Sequence, residues 1–268
     1  MEFGEIEASL QALENAIRER GGYPRDLFNR FHTDYEYTRR IAQAMMRKGP
    51  VGHIELRLAR AVLGRNIFTA ADWVSFYDVT FTKKQYSNAS KFPWNGDILA
   101  STCPLCGRTV RDCHFAFLGL DRLNNDLLTI LKFQELHPAM AQPQFASHAS
   151  RSLEKFVKET TMSPRWYLLH TNIVPMSENK TFKEQKVMLT AEYEVPSAVT
   201  EVAKDLLVSI KTGVYANPSR FGRCTDVDSF GGRVTVGSFD ADGPDFSYPD
   251  DDVRFNNVGV TASRKLNT

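Results

Sequence analysis

Apolar residues recur every three or four positions over the first ninety residues, the spacing of amphipathic helices, and the pattern then breaks into shorter runs. Residues 4–20 place Ile6, Leu10, Leu13 and Ile17 on one face and stop at Gly21-Gly22. Residues 26–48 repeat the pattern and stop at Gly49-Pro50, and residues 53–63 predict a third helix ended by Gly64. Thr69 followed by Asp72 has the spacing of a capping box, which satisfies free N–H groups at a helix start, and opens a short helix through Trp73 and Phe76. Thr82 caps another. Phe92-Pro93-Trp94-Asn95-Gly96 interrupts the periodicity and sets a predicted boundary between a helical segment, residues 1–95, and a second domain, residues 96–268.

Beyond that boundary strands and helices mix, which predicts an α+β fold. His114–Leu120 and Arg165–Val174 read as strands, and residues 127–137 and 151–160 as helices. A longer helix follows Pro196-Ser197, with Val199, Val202, Ala203, Leu206, Leu207 and Ile210 on one face and Gly213 at its end. Short β-like runs come next at Arg223–Val227, Arg233–Phe239 and Asn257–Ser263, separated by Gly- and Asp-rich loops. Strand alternation assigns Val234, Val236, Phe239, Val258 and Val260 to the core. Trp73, Trp94 and Trp166 are expected to pack. No internal repeat is visible.

Composition narrows function by exclusion. A chain of 268 residues that is 42% hydrophobic has ample material for a core. A net charge of +1 provides no field for steering toward nucleic acid or an anionic membrane. The start is acidic and amphipathic, without the basic and apolar regions of a signal peptide, and no apolar run approaches a membrane span. The expectation is a cytoplasmic chain with no membrane span, with display on a surface or virion still open.

Cys103-Pro104-Leu105-Cys106-Gly107 is the sharpest conventional motif: C-x₂-C followed by Gly resembles half of a zinc knuckle, whose two thiolates reach one tetrahedral metal. Cys113 and His114 follow, and because adjacent strand residues point to opposite sides, only one of them can join. The fourth ligand would come from elsewhere, with His137 and Cys224 as candidates. The expectation is therefore no cofactor, with structural zinc at Cys103 and Cys106 as the exception. Asp240, Asp242 and the run Asp250-Asp251-Asp252 are oxygen donors of the kind calcium takes, yet they lack EF-hand spacing and a sugar-binding motif, so a solvated loop is expected. His32, His53, His137, His148 and His170 form no acid–base pattern with a nucleophile, and His170 inside an apolar strand reads as a satisfied core histidine. There is no Gly-rich phosphate loop.

The tail uses a restricted alphabet. From Thr212 to Arg264 there is no Lys, Glu, Gln, Met or Trp, although Asp, Arg and Asn are frequent. Turn chemistry explains part of the preference, since Asp and Asn tolerate αL and bond their own backbone. Burial cannot explain it, because solvation treats Asp and Glu as near equals. The five missing types are those that no codon ending in a pyrimidine encodes.

Three pieces of the tail carry a family resemblance. Tyr193-Glu194-Val195-Pro196-Ser197-Ala198-Val199-Thr200-Glu201-Val202 resembles the helix start of the C-type lectin fold in the branch shared with formylglycine-generating enzymes. Arg233-Val234-Thr235-Val236-Gly237-Ser238-Phe239 resembles its following strand, and Asn257-Val258-Gly259-Val260 its closing strand. The likeness covers roughly residues 190–264 directly and would extend the fold back to about residue 95. Together with the alphabet, the chain resembles the variable proteins of diversity-generating retroelements. In that family a reverse transcriptase misreads the adenines of a template repeat and installs the copy at the end of a C-type lectin gene. Template AAC and AAT codons then become any codon ending in a pyrimidine, which leaves those five types unreachable. Phe239-Asp240-Ala241-Asp242-Gly243 and Val258–Arg264 are similar to archaeal and candidate-phylum members in particular. Pro249, where an aromatic is expected, and Val260, where the family often has Phe, depart from the pattern.

The resemblance implies a non-enzymatic protein that binds a protein or glycan through a hypervariable region at about residues 219–257, with its oligomeric state open. Its implied contact residues are Phe221, Phe230, Thr235, Ser238, Asp245, Phe246, Ser247, Tyr248, Asp252, Val253, Phe255 and Asn256. Aromatic and small polar side chains of this kind suit a paratope-like surface. Two rival readings stand beside it. A formylglycine-generating-like metal-dependent oxidase needs a cysteine pair in the C-terminal region, where only Cys224 is present. A zinc-containing intracellular adaptor would act through the helical N-terminus and Cys103/Cys106.

Overall fold

The computed structural model describes residues 54–138, 141–145 and 154–266. They belong to the second of two compact units, Met1–Pro50 and Val51–Thr268. The helices expected over 4–20 and 26–48 lie outside the described residues. The elements run β1 Ile54–Glu55, α1 Leu56–Leu63, β2 Ile67–Phe68, α2 Ala70–Tyr77, α3 Lys83–Ala89, β3 Lys91–Phe92, α4 Gly96–Ala100, α5 Val110–Cys113 and β4 His114–Leu118. They continue with β5 Arg122–Leu123, β6 Asp126–Leu127, α6 Ile130–Leu136, α7 Lys155–Lys158, β7 Trp166–His170, α8 Phe182–Val187 and β8 Tyr193–Glu194. The tail adds α9 Ala198–Thr212, β9 Phe221–Val227, β10 Arg233–Asp240, β11 Gly243–Ser247, β12 Val258–Val260 and β13 Ser263–Arg264. The architecture is mixed helix and sheet.

Two sheets carry the fold. The first has five strands in the order β2-β4-β7-β13-β8, and the second four in the order β11-β10-β9-β12. All five residues of β4 and of β7 are buried, so these strands read as continuous apolar runs. They pair antiparallel from His114 opposite His170 to Leu118 opposite Trp166. The predicted run Asn257–Ser263 divides between the sheets: β12 lies parallel to β9, and after Thr261-Ala262 the chain joins β7 and β8 as β13. The end of the chain is thereby tied to both sheets. Val234, Val236, Val258 and Val260 are buried, as alternation predicts, and Phe239 is buried too, beyond a register shift that starts after Gly237.

Residues 54–95 share this core, so the boundary expected at residue 95 does not divide it. Ile67-Phe68 adds a strand parallel to β4, a pairing too short to leave an alternating pattern. Trp73 donates its indole N–H to Leu118 O (2.7 Å), Trp166 to Ala89 O (3.1 Å) and Trp94 to Lys265 O (3.2 Å), which joins the early segment to the last strand. The capping box at the start of α2 forms, with the Asp72 carboxylate accepting from the Thr69 N–H and hydroxyl. Thr181 and Glu184 build another box that starts α8.

Helix α9 ends where Gly213 takes the left-handed conformation (φ 73°) that closes helices without a Cβ penalty. It packs on β2 and β4 of one sheet and on β9, β10 and β11 of the other. Sandwiched in this way, it buries its polar face too: Glu201, Lys204 and Asp205 have no exposed surface. The Lys204 ammonium lies 2.6 Å from Glu201 and 2.9 Å from Asp205, and also donates to Thr171 O (2.8 Å). One cation faces two carboxylates out of water, so it cannot neutralise both. Burial pushes Asp205 up to about 7, with Lys204 opposing and Glu201 adding to the rise.

A carboxyl whose folded value lies above its ordinary 3.8 favours folding at low pH, and that contribution is lost as pH rises through about 7. The isosteric, neutral Asp205→Asn variant should therefore lose less thermal stability than the parent between about pH 5 and about pH 7.5. Melting curves across that range check this, and parallel curves would mean that Asp205 is ionised throughout.

Candidate functional site

Arg223, in the middle of β9, is fully buried. Its Nη1 donates to Lys180 O and Gln185 Oε1 (both 2.9 Å), and its Nη2 to Val253 O (2.7 Å) and Asp250 O (3.4 Å). The same loop is held from other sides. Gln185 Nε2 donates to Val258 O (3.0 Å), and the N–H groups of Phe182, Asn179 and Phe221 donate to the carbonyls of Asp251 (2.8 Å), Phe255 (2.7 Å) and Asn257 (2.8 Å). Apart from the two Nη1 bonds, which brace Arg223 itself, these bonds end on main-chain carbonyls of the segment 250–258, so they fix its path whatever side chains it carries. Two side-chain grips are added. Arg233 clamps Asp251 through Nε (2.9 Å) and Nη2 (2.8 Å) while its guanidinium sits 4.3 Å from the Phe182 ring centroid, and Arg254 meets Glu184 at 2.6 Å.

On this pinned backbone Asp252, Val253, Phe255 and Asn256 are exposed. Phe230 is 89% exposed in the turn between β9 and β10. That turn runs beside the start of the loop, since Arg233 N–H donates to Pro249 O (2.9 Å) and a Cβ on Gly232 would lie 2.8 Å from Tyr248 O. Phe221, Ser238, Asp245, Phe246, Ser247 and Tyr248 are half-buried. The Phe246 ring packs on Phe145 and Phe156, and Tyr248 on Phe156, at centroid separations of 6.0–6.3 Å, so both contribute to the core. Gly243–Ser247, expected as loop, forms β11 on the open side of β10. Thr235 is a correction: it has no exposed surface, and its hydroxyl donates to Ser247 O (2.9 Å). Thr235 pairs with Arg223 and so shares its face, and that face is covered by α8 and the segment 250–258 that Arg223 holds, so alternation does not turn Thr235 to solvent.

The C-x₂-C motif acquires more partners than its local spacing reveals. Ligand atoms of Cys103, Cys106, Cys113 and His170 all lie within 4.8 Å of one another. The knuckle is shaped by Gly107 N–H donating to Cys103 O (2.9 Å) and Cys103 N–H to Arg108 O (2.7 Å), with Gly107 left-handed at φ 74°. Cys113 ends α5, and the β4–β7 register brings His170 across. Of the two neighbours weighed for the third position, Cys113 joins. His114 Nε2 is engaged by the Tyr193 hydroxyl at 3.0 Å and its Nδ1 lies 3.2 Å from Cys113 Sγ.

Neither candidate for the fourth position reaches the cluster. His137 uses both ring nitrogens, on Tyr77 Oη (2.8 Å) and Pro143 O (2.7 Å). Cys224 is fully buried in the middle of β9, in the other sheet, beside Gly222 O (3.6 Å). His170 takes that place, although its apolar strand context marks it as a satisfied core histidine. Its Nδ1 meets Asn172 O at 2.8 Å, whereas its buried Nε2 has no hydrogen-bond partner.

The electrostatics suit thiolate chemistry. A hydrogen bond from Cys113 holds Cys103 at about 5 against the opposing effect of burial, with help from the N–H groups of Leu105 and Cys106 and from Tyr193. Cys113 is raised by Cys103 and by burial. Burial holds His114 down at about 3, with the neighbouring His170 and Arg264 adding to the effect, and burial lowers His170 as well.

The tail carboxylates find other partners. Asp240 accepts from the Asp242 N–H (2.8 Å), Asp242 from Gln144 Nε2 (2.6 Å), and Asp251 from Arg233. Among the described residues they form no metal-binding group with a third acidic or histidine side chain.

Arg223→Lys keeps the charge but loses the fork that holds Asp250 and Val253. At roughly 1.5–3 kcal/mol per charged hydrogen bond, a loss of about 2 kcal/mol or more is expected in urea unfolding. Hydrogen exchange should accelerate at the Phe182 and Asn179 amides, which bond the same loop, and unchanged exchange there would show that Arg223 does not hold it. No known protein family, curated protein or solved structure matches this chain.

Proposed function

We propose that the chain is a non-enzymatic binding protein with a C-type lectin domain. Its C-terminal face would be rewritten by a retroelement through adenine-directed mutagenesis and would recognise a protein or glycan. The observation that carries this reading is the segment 250–258: donors from β9, α8 and the turn before α8 grip its carbonyls while Asp252, Val253, Phe255 and Asn256 face outward. A binding surface whose residues change needs a backbone that does not depend on them. The division of labour also fits the composition of the tail. Asp251 and Arg233, which hold each other, are outside the implied contact set, and four of its members are exposed on the loop with a fifth, Phe230, beside it.

The contact set that this reading uses is smaller than the one the resemblance implies. Phe230, Asp252, Val253, Phe255 and Asn256 are its free surface. Phe221, Ser238, Asp245, Phe246, Ser247 and Tyr248 form its half-buried margin, and Thr235 is excluded. The oxidase reading is weaker, because the only tail cysteine, Cys224, is buried and its thiol is raised well above the ordinary range, which leaves it unreactive.

Sequencing the gene and its flanks tests the origin of the alphabet. A near-copy of the segment encoding residues 219–264, differing at adenines and neighbouring a reverse-transcriptase gene, is expected. Purine-ending codons scattered through that segment, with no such copy, would overturn the proposal. A display library tests the physical half of it. Randomising Phe230, Asp252, Val253, Phe255 and Asn256 together should leave most members folded, with melting temperatures within a few degrees of the parent, since such surface changes cost about 0.5 kcal/mol or less each. The same treatment of Val234, Val236 and Phe239 should leave few folded. Equal losses in the two libraries would mean that the loop residues are structural.

A further inference from the structure

We propose that Cys103, Cys106, Cys113 and His170 bind one zinc ion, tetrahedrally and as a structural metal, through three thiolates and a neutral imidazole. The inference stands independently of the ligand face. Zinc bound to four protein ligands at about 2.0–2.3 Å needs its donors roughly 3.5–3.8 Å apart. The four donor atoms here are gathered within 4.8 Å of one another, with no further change of fold needed to enclose an ion. Three sulfurs and one imidazole are the soft donor set that selects zinc over calcium or magnesium.

The histidine supplies the strongest single argument. His170 is 94% buried, since only 6% of its surface is exposed, and a buried polar atom without a partner is costly. Its Nδ1 faces Asn172 O at 2.8 Å, an acceptor, so Nδ1 carries the proton and Nε2 carries the lone pair. Nε2 is the atom left without a partner. A carbonyl that fixes the tautomer while the other nitrogen stays free is the arrangement that metal-binding histidines use.

The sulfur side has a comparable outer layer. Arg264 Nη1 donates to the Tyr193 hydroxyl (3.3 Å), that hydroxyl meets His114 Nε2 (3.0 Å), and His114 Nδ1 lies 3.2 Å from Cys113 Sγ. Read in that direction, each group passes a hydrogen bond toward a thiolate. A cavity of about 450 Å³ lined by Cys106, Cys113 and His170 gives the ion a route in. Four protein ligands leave no open position for a substrate, so the role is to staple the 103–113 knuckle to β7.

Metal analysis of the full chain, purified under reducing conditions and reconstituted with zinc, tests this. One zinc per chain is expected. Cobalt substitution should give the visible bands of a tetrahedral site and a sulfur-to-cobalt transition matching three thiolates. Removing the metal should lower the melting temperature by about 10 °C or more. His170→Ala should bind at least about 10-fold more weakly. His170→Cys should retain one metal with cobalt bands shifted to lower energy, which keeps the test valid if the alanine variant does not fold. His137→Ala and Cys224→Ala should keep one zinc per chain. Three results would overturn the proposal: substoichiometric zinc after reconstitution, a Cys103–Cys113 disulfide in the reduced preparation, or an unchanged cobalt spectrum in His170→Cys.

Discussion

Side-chain donors aimed at main-chain carbonyls are the constraint on which this structure depends. Buried carbonyls must find partners, and in irregular segments no ladder supplies them. Arg223 and Gln185 satisfy those of the 250–258 loop from inside the protein. Asn217 does the complementary work earlier in the tail, pairing main-chain N–H groups with side-chain oxygens: its Oδ1 accepts from Ile173 N–H (2.6 Å), and its own N–H donates to Asn172 Oδ1 (2.8 Å). His170 completes the series by donating to Asn172 O. A donor that grips a carbonyl is indifferent to the side chain attached to it, so this mode of support fixes shape while leaving surface chemistry open.

The sequence disclosed the parts whose physics is local. The 3.6-residue period of α9, its closing glycine, the Thr69–Asp72 box and the buried valines of β10 and β12 all follow from neighbours within a turn or a pleat. The parts that escaped depend on distant pairing. Ile67-Phe68 is too short to show a period, and it becomes a strand only because β4 offers a free edge. Thr235 reads as outward by alternation, but it shares the face of Arg223, which α8 and the 250–258 segment cover. The same limit applies to the metal site. Cys103 and Cys106 announce themselves by spacing, whereas His170 is some sixty residues away and reaches them only through the His114–His170 register. An apolar strand gives no hint that one of its ring nitrogens will lack a partner.

The buried Glu201–Lys204–Asp205 group shows the opposite balance between cost and specificity. Charges on a sandwiched helix have no solvent to retreat to, and replacing such groups by packed apolar residues is often neutral or stabilising. What the group provides is a connection: Lys204 reaches Thr171 O, and Glu201 Oε1 accepts from Asn217 Nδ2 (3.2 Å). Helix α9 is thereby joined to the end of β7 and to the entrance of the tail, the two places from which the candidate sites are held.

A face that is rewritten repeatedly puts a demand on the rest of the domain. Each exposed replacement is cheap alone, but several together can consume a stability margin that is only about 5–15 kcal/mol for a typical domain. The margin must then come from residues that are never rewritten. Here the proposed zinc ligands all precede Thr212, and so do the three buried charged residues of α9, while the restricted alphabet begins at Thr212. Asn172 touches both His170 and Asn217, so a metal on His170 would stiffen the base of the tail through two hydrogen bonds. On the proposed reading, structural metal and variable surface would answer one requirement from two ends: the ion would add free energy where the chain is constant, and the carbonyl clamps would deliver the resulting rigidity to the loop that carries the exposed side chains.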